Sequence, residues 1–278
     1  MYNAQFWAKA WEEYRQSANR RRPDPNAWIE YWNCFASRYA KHNEATMQVH
    51  QNIIDNLAVQ GTVKSGDTLL DIGCGPGTYA LPLAAKGVKV TGLDTAKQML
   101  DTLRETAHTT GLSENICCLQ ADWRNIAPEP AYDVTFAAKS PAIYDYDSLM
   151  KMTKTARRTC CLIGFAGQHD LNLRRLLWEK ILGELSPAPS FDIIYPLNIL
   201  YQEGYRPNIT FYSYSQSHDE PLDYLIPHYI RYFAMFGING TFVEDNIRSF
   251  LENRATNGMC TEQTATTVGV MWWNVNRS

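Results

Sequence analysis

The sequence predicts an α/β fold on a mostly parallel sheet of seven strands, with helices on both faces, helices before the first strand, and helical insertions around the last two strands. Short apolar, β-rich runs alternate with amphipathic stretches between residues 67 and 166, as when helical crossovers join parallel strands. A glycine-rich turn follows the first of those runs. After residue 167 the alternation gives way to longer helical segments around two further strands.

Taken in order, Trp28, Tyr31, Trp32, Phe35, Ala36 and Tyr39 recur at three- and four-residue steps and predict a helix over 28–39. Val49, Ile53 and Leu57 predict a second over 45–59. The first strand falls at 67–71, and the turn at 73–77 leads into a helix ending near 86. Pro82 would break that helix if it stood in its middle, so the helix should start near Thr78 or Tyr79. A strand at 88–93 and a helix at 97–107 follow, the latter with Met99, Leu100, Leu103 and Ala107 inward. Strands at 116–121, 132–138 and 159–166 come next, with a helix over 145–157; Ser140 is expected to cap a helix with Pro141 in its first turn. Helices at 171–185 and 193–203, a strand at 209–214, helices at 223–236 and 242–254, and a strand at 266–274 complete the chain. This divides it into a helical cap (1–60), a ligand-binding core (61–167), and a segment (168–278) that completes the sheet and folds its insertions into a substrate cap.

Composition narrows the function. With 278 residues, 45% apolar and 20% charged, the chain is in the range of ordinary globular proteins. A net charge of -3 argues against nucleic acid, which is usually held by a basic surface; the run Arg20-Arg21-Arg22 reads as a solvated helix end. The first residues carry Lys9, Glu12 and Glu13 and lack the apolar core of a signal peptide. No apolar run approaches the roughly 20 residues of a membrane helix. A cytoplasmic protein without a membrane partner is expected. The seven cysteines, including Cys117-Cys118 and Cys160-Cys161, match no zinc spacing and read mostly as buried thiols, with no metal.

The chemistry concentrates in Leu69-Leu70-Asp71-Ile72-Gly73-Cys74-Gly75-Pro76-Gly77-Thr78. Glycines after a strand let the backbone turn tightly and approach a ligand, and the next helix offers free amides at its start. A nucleotide-like ligand is implied. The dinucleotide fingerprint would place its third glycine where Thr78 stands, which points away from NAD.

Asp71, Gly73, Gly75 and Gly77 resemble, position for position, the first motif D/E-x-G-x-G-x-G of the class I, Rossmann-like S-adenosylmethionine-dependent methyltransferases. The resemblance implies that Gly73, Cys74 and Gly75 surround the cofactor. Asp94, ending the second strand, is implied to accept both ribose hydroxyls. Asp94-Thr95-Ala96-Lys97-Gln98-Met99-Leu100 resembles the family's D-x-S-x-x-M-L run, with Thr95 in the serine's place and Met99 against the adenine. After the third strand, Asp122 and Trp123 are implied to meet the adenine amino group and ring; loop capping is the competing reading of Asp122. Ala138, ending the fourth strand, is implied beside the methionine portion. The resemblance covers residues 68–166 in detail.

It implies an enzyme with S-adenosylmethionine as cofactor. The sulfonium already activates the methyl group, so the protein mainly has to align a lone pair and exclude water. A base is needed only for a protonated acceptor. His169, expected in the loop after the fifth strand, is the candidate, with a surface or capping histidine as the alternative. Tyr31 and Tyr39 are implied to reach the methionine carboxylate, against packing as the competing reading. The later aromatics, among them Tyr195, Tyr201, Tyr205, Tyr212, Tyr214, Tyr224, Tyr229, Tyr232 and Phe233, either wall a small-molecule pocket or fill a core. A small-molecule acceptor is expected; an RNA or protein methyltransferase and a non-catalytic S-adenosylmethionine-binding module are the alternatives.

Overall fold

The sheet order is β3-β2-β1-β4-β5-β7-β6. It was obtained from a computed structural model that describes residues 3–18, 23–44, 46–184 and 191–276. β1 (Thr68–Ile72), β2 (Lys89–Asp94), β3 (Ile116–Gln120) and β4 (Tyr132–Ala138) begin within one residue of their expected positions. They run parallel to each other and to β5 (Ala156–Leu171), whereas β7 (Met259–Asn274) is antiparallel to β5 and to β6 (Asn208–Pro221). β1 lies between β2 and β4, so the strand order reverses there. The crevice outside the carboxyl ends of β1 and β4 is therefore where a ligand belongs in such a sheet.

Successive strand residues face opposite cores. Leu69, Val90, Phe136, Ile163 and Val270 pack against α3 (Met47–Val59), α4 (Ala80–Ala85) and α5 (Lys97–Thr109). Leu70, Ile72, Leu93, Ala137, Leu162 and Met271 pack against α6 (Tyr146–Thr155) and α8 (Ile194–Gln202). Each fully buried Leu or Ile contributes roughly 1.5–3 kcal/mol. Pro82 is the third residue of α4, in the first turn, where a helix has no partner for the missing N–H.

α1 (Ala4–Ala18) had no counterpart among the expected elements. It docks on α8 through the fully buried Trp11, whose ring lies parallel to Tyr195 at 6.5 Å and edge-on to Phe191 at 5.5 Å. α2 (Pro25–Glu44) crosses α5 on one side and meets α9 (Leu222–Ala234) on the other. Together with α7 (Asn172–Leu182) and α10 (Thr241–Glu252), α2 and α9 enclose a third core, which contains Tyr31, Trp178, Tyr229, Tyr232 and Phe233. Most aromatics of the insertions thus pack, and Tyr201 is exposed.

The last three strands correct the sequence reading most. They run to 16, 14 and 16 residues, well beyond the expected 159–166, 209–214 and 266–274. Their outer halves carry exposed Ser213, Ser215 and Ser217 facing Thr267, Ala265 and Gln263, so backbone pairing rather than apolar content prolongs them. The extension puts His169 inside β5, paired opposite Thr266 beyond a register shift, not in a loop.

The helix before β5 also ends earlier than expected, at Thr155, because Ala156 already pairs with Tyr132. Arg158 reaches the carbonyl of Gly61 at 3.1 Å and pairs with Asp67. Asp145, not Ser140, caps α6: its carboxylate accepts from the Ser148 amide at 2.8 Å, and Ser148 Oγ accepts from the Asp145 amide at 3.0 Å. Ser140 instead accepts from the Ala142 amide within a turn.

Cys74, Cys160, Cys161 and Cys260 are buried, while Cys34 and Cys117 are exposed. Among the described residues no helix is long and apolar enough to cross a membrane, and no three His, Cys, Asp or Glu side chains converge as a metal site.

Candidate functional site

The loop after β1 is pinned to β2: the amides of Gly73 and Cys74 both donate to the Leu93 carbonyl, at 2.7 and 3.0 Å. Gly73 has φ 73° and Gly75 φ 55°, in the left-handed region that favours glycine. They serve different ends. A Cβ on Gly73 would stand 2.2 Å from Ser140 Oγ, so this glycine lets the β4 turn close on the loop. A Cβ on Gly75 would meet only Met99 Sδ at 4.0 Å, so that backbone is free for a ligand to approach.

Asp94 locks the far side. Its Oδ2 accepts from the Gly75 amide and its Oδ1 from the Ala96 amide, each at 2.9 Å. Burial raises its pKa, against the opposing pull of the Ala96, Gly75 and Thr95 amides. Asp71, 2% exposed at the end of β1, is pushed up to about 8 by burial and then by the charge of Asp94. It is therefore mainly protonated at neutral pH.

One cavity brings together Tyr39, Asp71, Gly73, Cys74, Gly75 and Ala138, and adds Thr78, Tyr79 and Lys139. The sequence reading missed these three. The available signal was a charged residue, Lys139, directly after the apolar run Val134-Thr135-Phe136-Ala137-Ala138. Trp32, Ala36 and Tyr39 of α2 cover Ala96 and Met99, and Met99 is 3% exposed beneath them. The Asn33 side-chain Oδ1 accepts from the Gln98 backbone amide at 3.1 Å, fixing α2 to the start of α5.

The other candidates are more scattered. Tyr31 sits on the opposite face of α2, in the third core, with its hydroxyl 3.4 Å from His228 Nε2. The Thr95 carbonyl accepts from Gln120 Nε2 at 3.4 Å, and the Ala121 amide donates to the Asp94 carbonyl at 3.1 Å, which sets the β3 loop beside Asp94. In that loop Asp122 accepts from the Arg124 amide at 2.8 Å and is held below the usual carboxylate range by the Arg124 side chain. Trp123 is 2% exposed among Leu93, Ala137 and Leu149, with Lys151 Nζ 4.5 Å from its ring centroid. The backbone of His169 lies in β5 opposite Thr266, and its side chain is outside the described residues.

Residues 69–161 match the family model of a methyltransferase domain. An uncharacterized protein of Haemophilus influenzae is 34% identical over 151 residues, covering 54% of each chain. The 27-O-demethylrifamycin SV methyltransferase of Amycolatopsis mediterranei is 30% identical over 112 residues, 40% of this chain and 39% of that one. The chain thus spans about half, or less, of the length of these relatives. The magnesium protoporphyrin IX methyltransferase of Synechocystis, crystallised with bound S-adenosylhomocysteine, aligns at a TM-score of 0.46 and 15% identity over 80% of this chain and 83% of that one. The matched segment contains the Asp71–Gly77 loop, Asp94 and β4, and it identifies residues 69–161 as a methyltransferase domain, whose motifs resemble those of the class I, Rossmann-like S-adenosylmethionine-dependent family.

Proposed function

We propose that the chain transfers the methyl group of S-adenosylmethionine to a small-molecule acceptor. The observation that carries this reading is the convergence of Asp71, Gly73, Cys74, Gly75 and Ala138 on one cavity next to Asp94. These residues fit the cofactor: the open face of Gly75 admits a ligand, and the Asp94 carboxylate keeps lone pairs beyond its two amide bonds for a vicinal diol. When bound, the cofactor supplies a methyl group activated by its sulfonium.

The protein's own part is to orient and to exclude water. Asp94 holds the ribose, Thr95, Met99, Asp122 and Trp123 border the adenine side, and Tyr39 with α2 covers the site. The helical insertions of the 168–278 segment, α7 to α10, serve as the substrate cap, beside the helical cap of 1–60 that contains α2. A net charge of -3 supports a small acceptor over RNA, and the cytoplasm is the matching location. No general base is assigned.

The test is incubation with methyl-labelled S-adenosylmethionine and separated RNA, protein and metabolite fractions. Label in the metabolite fraction supports the reading. Label confined to RNA or protein overturns the acceptor class, and tight donor binding without transfer to any fraction identifies a non-catalytic binding module.

A further inference from the structure

We infer that Lys139, with the phenols of Tyr39, Tyr79 and Tyr214, forms an oxyanion site on the wall of this cavity, built to receive a carboxylate or a similarly charged oxygen of a bound ligand. The inference rests on the methyltransferase reading of the cavity and specifies what else that cavity holds.

Its first support is placement. Lys139 follows Ala138 at the carboxyl end of β4 and lines the cavity together with Tyr39 and Tyr79. Its backbone has φ 51°, one of two positive values at non-glycine residues among those described. A non-glycine residue in the left-handed region is held there by its surroundings. Here the Lys139 amide donates to the Ile163 carbonyl at 2.7 Å, and Ser140 closes against Gly73. The fold thus fixes a cation at this point of the strand end.

The second support is the missing counter-charge. Tyr39 and Tyr79 line the cavity with the ammonium and Tyr214 lies near enough to act on its charge, yet among the described residues no carboxylate forms an ion pair with Lys139. Burial disfavours the ammonium, and the surrounding phenols oppose it, so that the net direction of its pKa is upward. Behind the phenols stands His50, 3% exposed, its ring 5.0 Å from Tyr79 and 6.4 Å from Tyr214. Its buried Nε2 has no partner, and burial followed by Lys139 lowers its pKa to about 4, so it supplies no charge. Asp71 across the cavity is mainly protonated. Partly buried cations are normally paired, and a sulfonium would add a second positive charge to the same cavity. An anion on the ligand satisfies both.

That anion has two sources with the same chemistry: the carboxylate at the amino-acid end of the methyl donor, or an ionised oxygen of the acceptor. Calorimetry on the full chain separates them, with Lys139→Met, Lys139→Arg and four probes. These are S-adenosylmethionine, S-adenosylhomocysteine, 5′-methylthioadenosine, which lacks the carboxylate, and benzoate added to protein saturated with S-adenosylhomocysteine.

A donor carboxylate predicts that Lys139→Met weakens the first two at least tenfold, leaves 5′-methylthioadenosine unchanged, and is largely rescued by Lys139→Arg. An acceptor oxyanion predicts unchanged donor affinity and benzoate binding at least tenfold weaker in Lys139→Met. The proposal is overturned if donor affinity is unchanged and benzoate binds the variant as it binds wild type, or binds neither. It is also overturned if 5′-methylthioadenosine is weakened as much as the donor, which indicates general damage. Wild-type protein that binds none of the three nucleosides overturns the methyltransferase reading itself, a result distinct from a silent Lys139 variant.

Discussion

The Gly75 amide donates to Asp94 Oδ2 at 2.9 Å, joining the glycine-rich loop of β1 to the acid that ends β2. One carboxylate thus shapes the loop and, in the proposed reading, also holds the ribose. Asp94→Ala removes a charge-assisted partner and is expected to weaken S-adenosylmethionine binding at least tenfold, in line with about 1.5–3 kcal/mol for such a bond. Titration calorimetry checks it; equal affinity would remove Asp94 from the ribose.

Gly73→Ala places a methyl group 2.2 Å from Ser140 Oγ at a φ of 73°. Crowding and the left-handed backbone each carry a cost, so a loss of roughly 2–4 kcal/mol is expected. Adding Ser140→Gly relieves the contact but not the backbone term, and should recover part of the loss. Denaturant melts of the single and double variants decide; no recovery would refute the contact.

Burial and Asp94 raise the Asp71 pKa to about 8, so in the free protein at pH 7 the group is mostly protonated. A cationic donor in the same cavity favours the ionised form. Binding at pH 7 should therefore release a proton and tighten as pH rises through 8. Calorimetric enthalpies in buffers of different ionisation heat measure that release. A buffer-independent enthalpy, or binding that weakens between pH 7 and 9, would contradict it.

Glu262 accepts from the Tyr229 hydroxyl at 2.6 Å beneath the cap. Burial would raise its pKa, but hydrogen bonds from His218 and Tyr229 and the nearby charges of His228 and Arg174 prevail and hold it at about 2. A depressed folded pKa stabilises the fold above the unfolded value, near 4.5, and that stability is lost as pH falls toward 2. The shift is equivalent to about 3 kcal/mol at most. Glu262→Gln should thus be less stable than wild type at pH 6, with the gap closing between pH 4.5 and 2; parallel stability curves would contradict the assignment.

What was legible in the sequence follows from where local signals suffice. β1, β2 and β4 are short, largely buried and bounded by turns, and β3, though half exposed at the sheet edge, keeps the apolar run 116–119, so apolar runs mark all four. The Asp71–Gly77 spacing was legible because the backbone there has to turn and to lie open. The outer halves of β5, β6 and β7 were not, since polar residues such as Ser213 and Gln263 join the sheet mainly through backbone pairing, with a cross-strand hydroxyl contact from Ser213 to Thr267 at 2.8 Å. α1 escaped because its docking residue, Trp11, gains its burial from α8, far away in the chain. Lys139 was missed for a related reason: its meaning lies in three tyrosines from α2, the β1 loop and β6, which only the fold brings together.

The most direct test of the central claim is titration of the purified chain with S-adenosylmethionine, S-adenosylhomocysteine and NAD. One-to-one binding of the first two without measurable NAD binding is predicted from Gly77 and Thr78 standing where they do. Binding of NAD with no affinity for S-adenosylhomocysteine would contradict it.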